Sequence, residues 1–172
     1  MQKISLLIIG FTCSLTGYAD NLLLSSVGFA SNTLFPVMYA CDGKNSSPPL
    51  NWINVPPETK SLSLIVSDAS TSEPIYHWVV FNISPAVSSL DEGVTQLPPG
   101  AKEGKNSWHK TEYYGLCPPK GTIHVYNFTL YALNKKLTTS QVEAGELLSE
   151  MQGSVLQKST VTVSYSRWGW PE

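Results

Sequence analysis

The chain has 172 residues, 11 of them Lys or Arg and 13 Asp or Glu, for a formal charge of −2 at pH 7. That length suits one domain with an ordinary hydrophobic core. A near-neutral balance with no basic cluster excludes the electrostatic footprint of a nucleic-acid binder.

At the N-terminus, Lys3 precedes an uncharged apolar run from Ile4 to Leu15, and Gly17-Tyr18-Ala19 puts small residues where signal peptidase cleaves. Residues 1–19 are therefore expected to be an export signal and 20–172 the mature domain, with a net charge of −3 once Lys3 is lost. The apolar run is shorter than the about 20 residues a bilayer span needs, and no later segment replaces it. The expectation is an exported protein, periplasmic or secreted, without a transmembrane anchor. Cys13 follows Gly10-Phe11-Thr12, whose bulky Phe and Thr stand where a lipidation signal has small residues. Two cysteines survive processing, Cys41 and Cys117, and an even count in an exported chain reads as a disulfide. The bond would close a loop of about 77 residues, for which chain-entropy models give at most roughly 4 to 4.5 kcal/mol. Two buried thiols are the alternative; a zinc site is disfavoured because neither cysteine has a partner at C-x-x-C spacing.

Runs rich in β-branched and aromatic residues, separated by Pro, Gly, Asn and Ser, predict a mostly β domain. The clearest strands are Ser61–Ser67, Tyr76–Ile83, Thr122–Leu133 and Thr160–Tyr165. The last alternates Val161, Val163 and Tyr165 against Thr and Ser, the mark of one buried face, whereas Leu62–Val66 and His77–Phe81 are nearly continuous in apolar residues and read as central strands. One helix is expected, with Ser140 and Glu143 as a capping box, Val142, Leu147, Leu148 and Met151 as its apolar stripe, and Gly153 as its stop. Long loops span Ser84 to about Ser107 and Lys110 to Gly121. Long ordered loops on a rigid sheet are where function concentrates.

No phosphate-binding glycine loop, H-E-x-x-H helix or G-x-S-x-G elbow is present, so the common nucleotide-binding, zinc-protease and serine-hydrolase signatures are absent and an enzyme would have to be built another way; the expectation is a protein without a cofactor or resident metal. The three histidines are His77, His109 and His124. His109 lies in a polar loop beside Trp108 and Lys110 and reads as solvent-exposed. Side chains alternate along a strand, which puts His124, Tyr126 and Phe128 on one face. An imidazole and a phenol on one face can donate to an anion, and a carboxylate beside the imidazole fixes its tautomer; Asp68, at the end of an apolar strand, is the candidate. The plainer reading makes His77 and His124 core histidines bonded to carbonyls, with Asp68 capping a turn.

The strings Ser47-Pro48-Pro49-Leu50-Asn51-Trp52, Pro56, Lys60-Ser61-Leu62, Asp68, His77-Trp78, Tyr114-Gly115-Leu116-Cys117-Pro118-Pro119 and Gly121-Thr122-Ile123-His124-Val125-Tyr126 occur in that order. This succession resembles the phosphatidylethanolamine-binding (PEBP) family, and most closely its bacterial Raf-kinase-inhibitor-like branch, the YbhB/YbcL type. The resemblance implies a β-sandwich of two antiparallel sheets with one or two peripheral helices, and a small pocket for phosphate, acetate or phospholipid head groups. It implies ligand-binding roles for Asp68, His77, Gly115, His124 and Tyr126, with Trp78 a packing residue. No catalytic residue is implied; one alternative is a metal- or acid–base-dependent phosphoester hydrolase built on the same groups, and another is a protein-interaction module with a vestigial pocket. Inhibition or modulation of a protein target is a further implied output. The sequence departs from the family pattern at Ser70 for its second acid, Leu116 for a proline and Val125 for an arginine. Losing an acid and a base together is expected if the two form one ion pair, which requires Ser70 and Val125 to be neighbours. The tail Trp168-Gly169-Trp170-Pro171 is expected to close the sandwich.

Overall fold

A computed structural model describes residues 20–140 and 142–167. Residues 1–19, the expected export signal, and the tail at 168–171, expected to close the sandwich, lie outside the described residues. In chain order the elements are β1 (Leu23–Ser25), β2 (Thr33–Leu34), a 3-10 turn (Val37–Tyr39), β3 (Leu50–Ile53), β4 (Ser61–Asp68), β5 (Ile75–Ile83), β6 (Ser89–Leu90), β7 (Lys102–Glu103), β8 (Ile123–Leu133), α1 (Ala144–Met151) and β9 (Val155–Ser166). They build a three-stranded sheet, β1-β3-β6, and a six-stranded sheet, β2-β9-β8-β4-β5-β7. The protein is mostly β, as its sequence predicts. Pairing is antiparallel except where the two-residue β2 runs parallel to β9.

The central position of β4 explains its continuous apolar run, because both of its faces are covered. Leu62, Leu64 and Val66 join the core between the sheets with Leu24, Leu50, Trp52, Trp78, Phe128, Leu130 and Val163. Ile65 instead joins Val79, Phe81, Leu147 and Met151 in a second core, where α1 covers the outer face of the large sheet. In β9, Val161, Val163 and Tyr165 are buried at the predicted period of two. The strand begins five residues earlier than the alternation suggests. There Val155 and Gln157 to Ser159 pair with Leu130 to Leu133, so backbone pairing carries the extension rather than an apolar face.

The helix begins later than Ser140 predicts. Its N-cap is Glu143, which shares a reciprocal capping box with Glu146. The backbone there is extended, where Val142 O accepts Lys105 N–H at 2.8 Å and Lys105 bridges to Glu143. An extended residue cannot occupy a helical turn, so the start is displaced.

Candidate functional site

The end of β4 meets the start of β8 because the two strands are antiparallel, with Asp68 opposite Tyr126. His124 lies two residues before Tyr126 on the same face, the diagonal position a carboxylate can reach. Asp68 Oδ2 lies 2.6 Å from His124 Nδ1, and Asp68 Oδ1 accepts the Ser70 N–H at 2.8 Å. Both carboxylate oxygens are thus engaged in a setting where the Asp68 side chain is 4% exposed and that of His124 17%. The bond fixes the proton on His124 Nδ1 and leaves Nε2 as the free ring atom.

His77 reaches the same place through a break in the ladder. Val66 pairs with Trp78 but Ser67 pairs with Tyr76, so His77 is the extra residue of a β-bulge. A regular strand sends neighbours to opposite faces. Here Trp78 packs in the core between the sheets while the His77 ring sits edge-on to Tyr126, a member of the same core, with centroids 5.3 Å apart. His77 Nδ1 lies 3.0 Å from Tyr114 O and 3.2 Å from Gly115 O. Burial holds the His77 pKa below the ordinary histidine value, against opposing contributions from the Tyr114 carbonyl, Asp68 and the Gly115 carbonyl.

Between the histidines, the Tyr126 hydroxyl is buried beside the Asp68 carboxylate and the Cys117 backbone, without a hydrogen bond of good geometry to any described residue. Burial raises its pKa strongly, and Asp68 pushes it further up, so the phenol keeps its proton.

The segment Tyr114–Cys117 packs beside His77. Tyr114 N–H donates to His77 O at 2.9 Å, Gly115 N–H to Asn45 Oδ1 at 2.6 Å, and Leu116 O accepts from Cys41 N–H at 3.2 Å. Cys117 is joined to Cys41 by the disulfide, whose Cα atoms stand 5.4 Å apart. A Cβ on Gly115 would lie 2.6 Å from Asn45 Oδ1 and 2.7 Å from backbone atoms of Ala40 and Cys41, so only glycine fits. Its carbonyl faces His77 while its N–H is spent on Asn45.

Three features of the site were not singled out from sequence. Trp108, 39% exposed, stacks on Tyr114 at 4.1 Å and stands edge-on to His77 at 5.1 Å. Asn106, 1% exposed, pins that loop by accepting the Trp108 and Lys110 N–H groups and donating to Glu112 O. Asn45 is the third. An aromatic in a polar loop was the available signal for Trp108; nothing in the local sequence marks Asn45. His109 is exposed as expected, with its ring 3.1 Å from Glu143. Ser70 and Val125 are neighbours: Val125 N–H donates to Ser70 Oγ at 2.8 Å. A separate open hollow of about 590 Å³, lined by Leu90, Asp91, Val94, Leu97 and Pro98, contains none of the site residues.

Residues 25–166 match the family model described as phosphatidylethanolamine-binding protein. The chain belongs to the phosphatidylethanolamine-binding protein family. Within that family it is 40% identical to the UPF0098 protein of Methanothermobacter thermautotrophicus over 152 residues, covering 84% of this chain and 98% of the relative. It is 39% identical over 117 residues to a Mycobacterium tuberculosis protein named lipoprotein LppC, covering 67% of this chain and 57% of that one. The crystal structure of Escherichia coli YbcL, described as a member of the mammalian PEBP family, superposes with a TM-score of 0.79 at 29% identity, covering 86% of this chain and 99% of YbcL. Among the described residues no helix is long and apolar enough to cross a membrane.

Proposed function

We propose that this PEBP-family chain is an exported ligand-binding protein whose site takes a small anion, phosphate or a phospholipid head group, on His77, His124 and Tyr126. The observation that carries this reading is the convergence of the buried Tyr126 hydroxyl with two imidazoles that each have one ring nitrogen committed to the protein. Asp68 orients His124, and the strap from Gly115 to Cys117, locked by the Cys41–Cys117 disulfide, holds the segment that orients His77. A protonated His124 and the Tyr126 O–H supply donors to anion oxygens, and low local dielectric strengthens those bonds. Export is proposed from the leader-like residues 1–19, and the lipoprotein name of the mycobacterial relative agrees with that compartment.

Titration with phosphate, following the histidine ring signals by NMR, tests the binding reading. Fractionation of the producing cells, with sequencing of the mature N-terminus, tests export; a chain starting at Asp20 outside the cytoplasm is the expected result. Modulation of a protein target remains a proposal of the same kind, tested by whether a captured partner is released by phosphate. Turnover of a phosphoester that disappears in His124→Ala would instead support the hydrolase reading.

A further inference from the structure

Both histidines of the site commit Nδ1 to the protein, and burial sets His77 apart by opposing a second proton. His77 Nδ1 lies against two carbonyl oxygens, Tyr114 O at 3.0 Å and Gly115 O at 3.2 Å. Carbonyls only accept, so Nδ1 carries the proton, and in the neutral ring Nε2 is left as a bare acceptor. No described residue bonds to Nε2. Whatever the charge on His124, the site therefore contains an acceptor that an aprotic anion leaves unpaired.

Resting on the anion-binding reading above, we propose that the site takes an oxyanion that brings its own proton. The matching chemistry is a P–OH group, as in hydrogen phosphate or the monoanion of a phosphate monoester. The hydroxyl donates to His77 Nε2, and the remaining oxygens accept from Tyr126 O–H and, in the doubly protonated ring, from His124 Nε2–H. Sulfate, carboxylates and phosphodiesters lack that hydrogen and set a lone pair against the Nε2 lone pair. An intact phospholipid, being a diester, is thereby disfavoured against free phosphate or a hydrolysed head group.

Three observations favour a neutral His77. The residue is 2% exposed, and burial opposes a second proton. Asp68, the charged group acting on it, is already bound through both oxygens, to His124 and to the Ser70 N–H. The other groups facing the ring are the aromatic side chains of Trp108, Tyr114 and Tyr126, none of which is an acid or base of the carboxylate or ammonium kind.

The test compares four anions at pH 6 by calorimetry: inorganic phosphate, methyl phosphate, dimethyl phosphate and sulfate. Phosphate and about half of the methyl phosphate carry a P–OH there, since the second ionisation lies near pH 6. Dimethyl phosphate matches the charge of dihydrogen phosphate, and sulfate matches its shape. The expected result is that phosphate and methyl phosphate bind at least about tenfold more tightly than the other two, the scale of one unmade hydrogen bond. In ¹⁵N spectra His77 Nε2 is expected to stay unprotonated in the phosphate complex. Sulfate or dimethyl phosphate binding as tightly as phosphate, or a proton on Nε2 in the complex, overturns the inference while leaving anion binding intact. Failure of all four anions to bind overturns the binding reading and the inference with it.

Discussion

Asp68 and His124 are 56 residues apart in sequence, yet the antiparallel register of β4 and β8 brings Oδ2 to 2.6 Å from Nδ1. Replacing Asp68 by Asn keeps the turn bond to Ser70 N–H within reach but removes the charge that holds the His124 ring. Asp68→Asn is expected to weaken phosphate binding by about tenfold, the scale of one lost charge-assisted hydrogen bond, and to let His124 exchange between tautomers in ¹⁵N spectra. Unchanged affinity together with a single Nδ1–H tautomer would show that Asp68 does not orient the ring.

Gly115→Ala is expected to destabilise the fold by about 1 to 3 kcal/mol through overpacking, because its methyl group meets the backbone of Ala40 and Cys41 at 2.7 Å. Those atoms sit beside the disulfide and have little room to move. The denaturant midpoint of the variant measures this, and a midpoint equal to wild type contradicts it.

Reduction of Cys41–Cys117, or the double replacement by Ser, is expected to lower stability by roughly 2 to 5 kcal/mol. The bond spans a sequence separation of 76. The cost should appear in thermal unfolding with and without reductant, and phosphate affinity should fall in parallel because the strap from Tyr114 to Cys117 loosens. A reduced protein with unaltered unfolding and affinity argues that the strap is held by its hydrogen bonds alone.

His77 makes stability depend on pH with a definite sign. Its folded pKa lies below the unfolded value, so the unfolded chain binds more protons in the window between them. Its contribution is fully present above the unfolded pKa of about 6.5 and is lost as pH falls toward the folded pKa. Comparing wild type with His77→Gln isolates this contribution: the acid-side decline below about pH 6.5 should be shallower in the variant. Parallel pH profiles would contradict a neutral buried His77.

The paired departure at Ser70 and Val125 admits a direct check, since the two are joined by a 2.8 Å bond. Ser70→Asp and Val125→Arg together should be more stable than the sum of the single changes by about 0.2 to 1 kcal/mol, the range of an exposed ion pair. A double-mutant cycle with no coupling sinks the idea that they are lost as a unit.

The long strands were legible because their patterns are long. Ser61–Asp68 and Ile123–Leu133 lie within one residue of the sequence expectation, and the alternation of Val161, Val163 and Tyr165 marks a buried face. Leu23–Ser25, Leu50–Ile53 and Ser89–Leu90 were not, since strands of two to four residues carry too little periodicity to separate from loops. The helix start was misplaced because Lys105, far away in sequence, binds the Val142 carbonyl and bridges to Glu143, whose backbone is extended. Local sequence placed His124 and Tyr126 on one face, but it could not bring in Asp68 or His77. Asp68 needs the strand register, and His77 needs a bulge that turns it to the side of Trp78. The resemblance to the family motifs supplied that convergence, whereas Asn45, reaching Gly115 across 70 positions, left no trace in either pattern.

The central claim is that His77, His124 and Tyr126 form an anion site. The most direct measurement follows the histidine ring signals by NMR while phosphate and phosphoethanolamine are added at pH 6, in wild type and in His124→Ala. The account predicts saturable shifts at both His77 and His124 in wild type, and loss of the saturable His77 response in the variant. Ring signals that stay in place at millimolar ligand in the folded wild-type protein would contradict it.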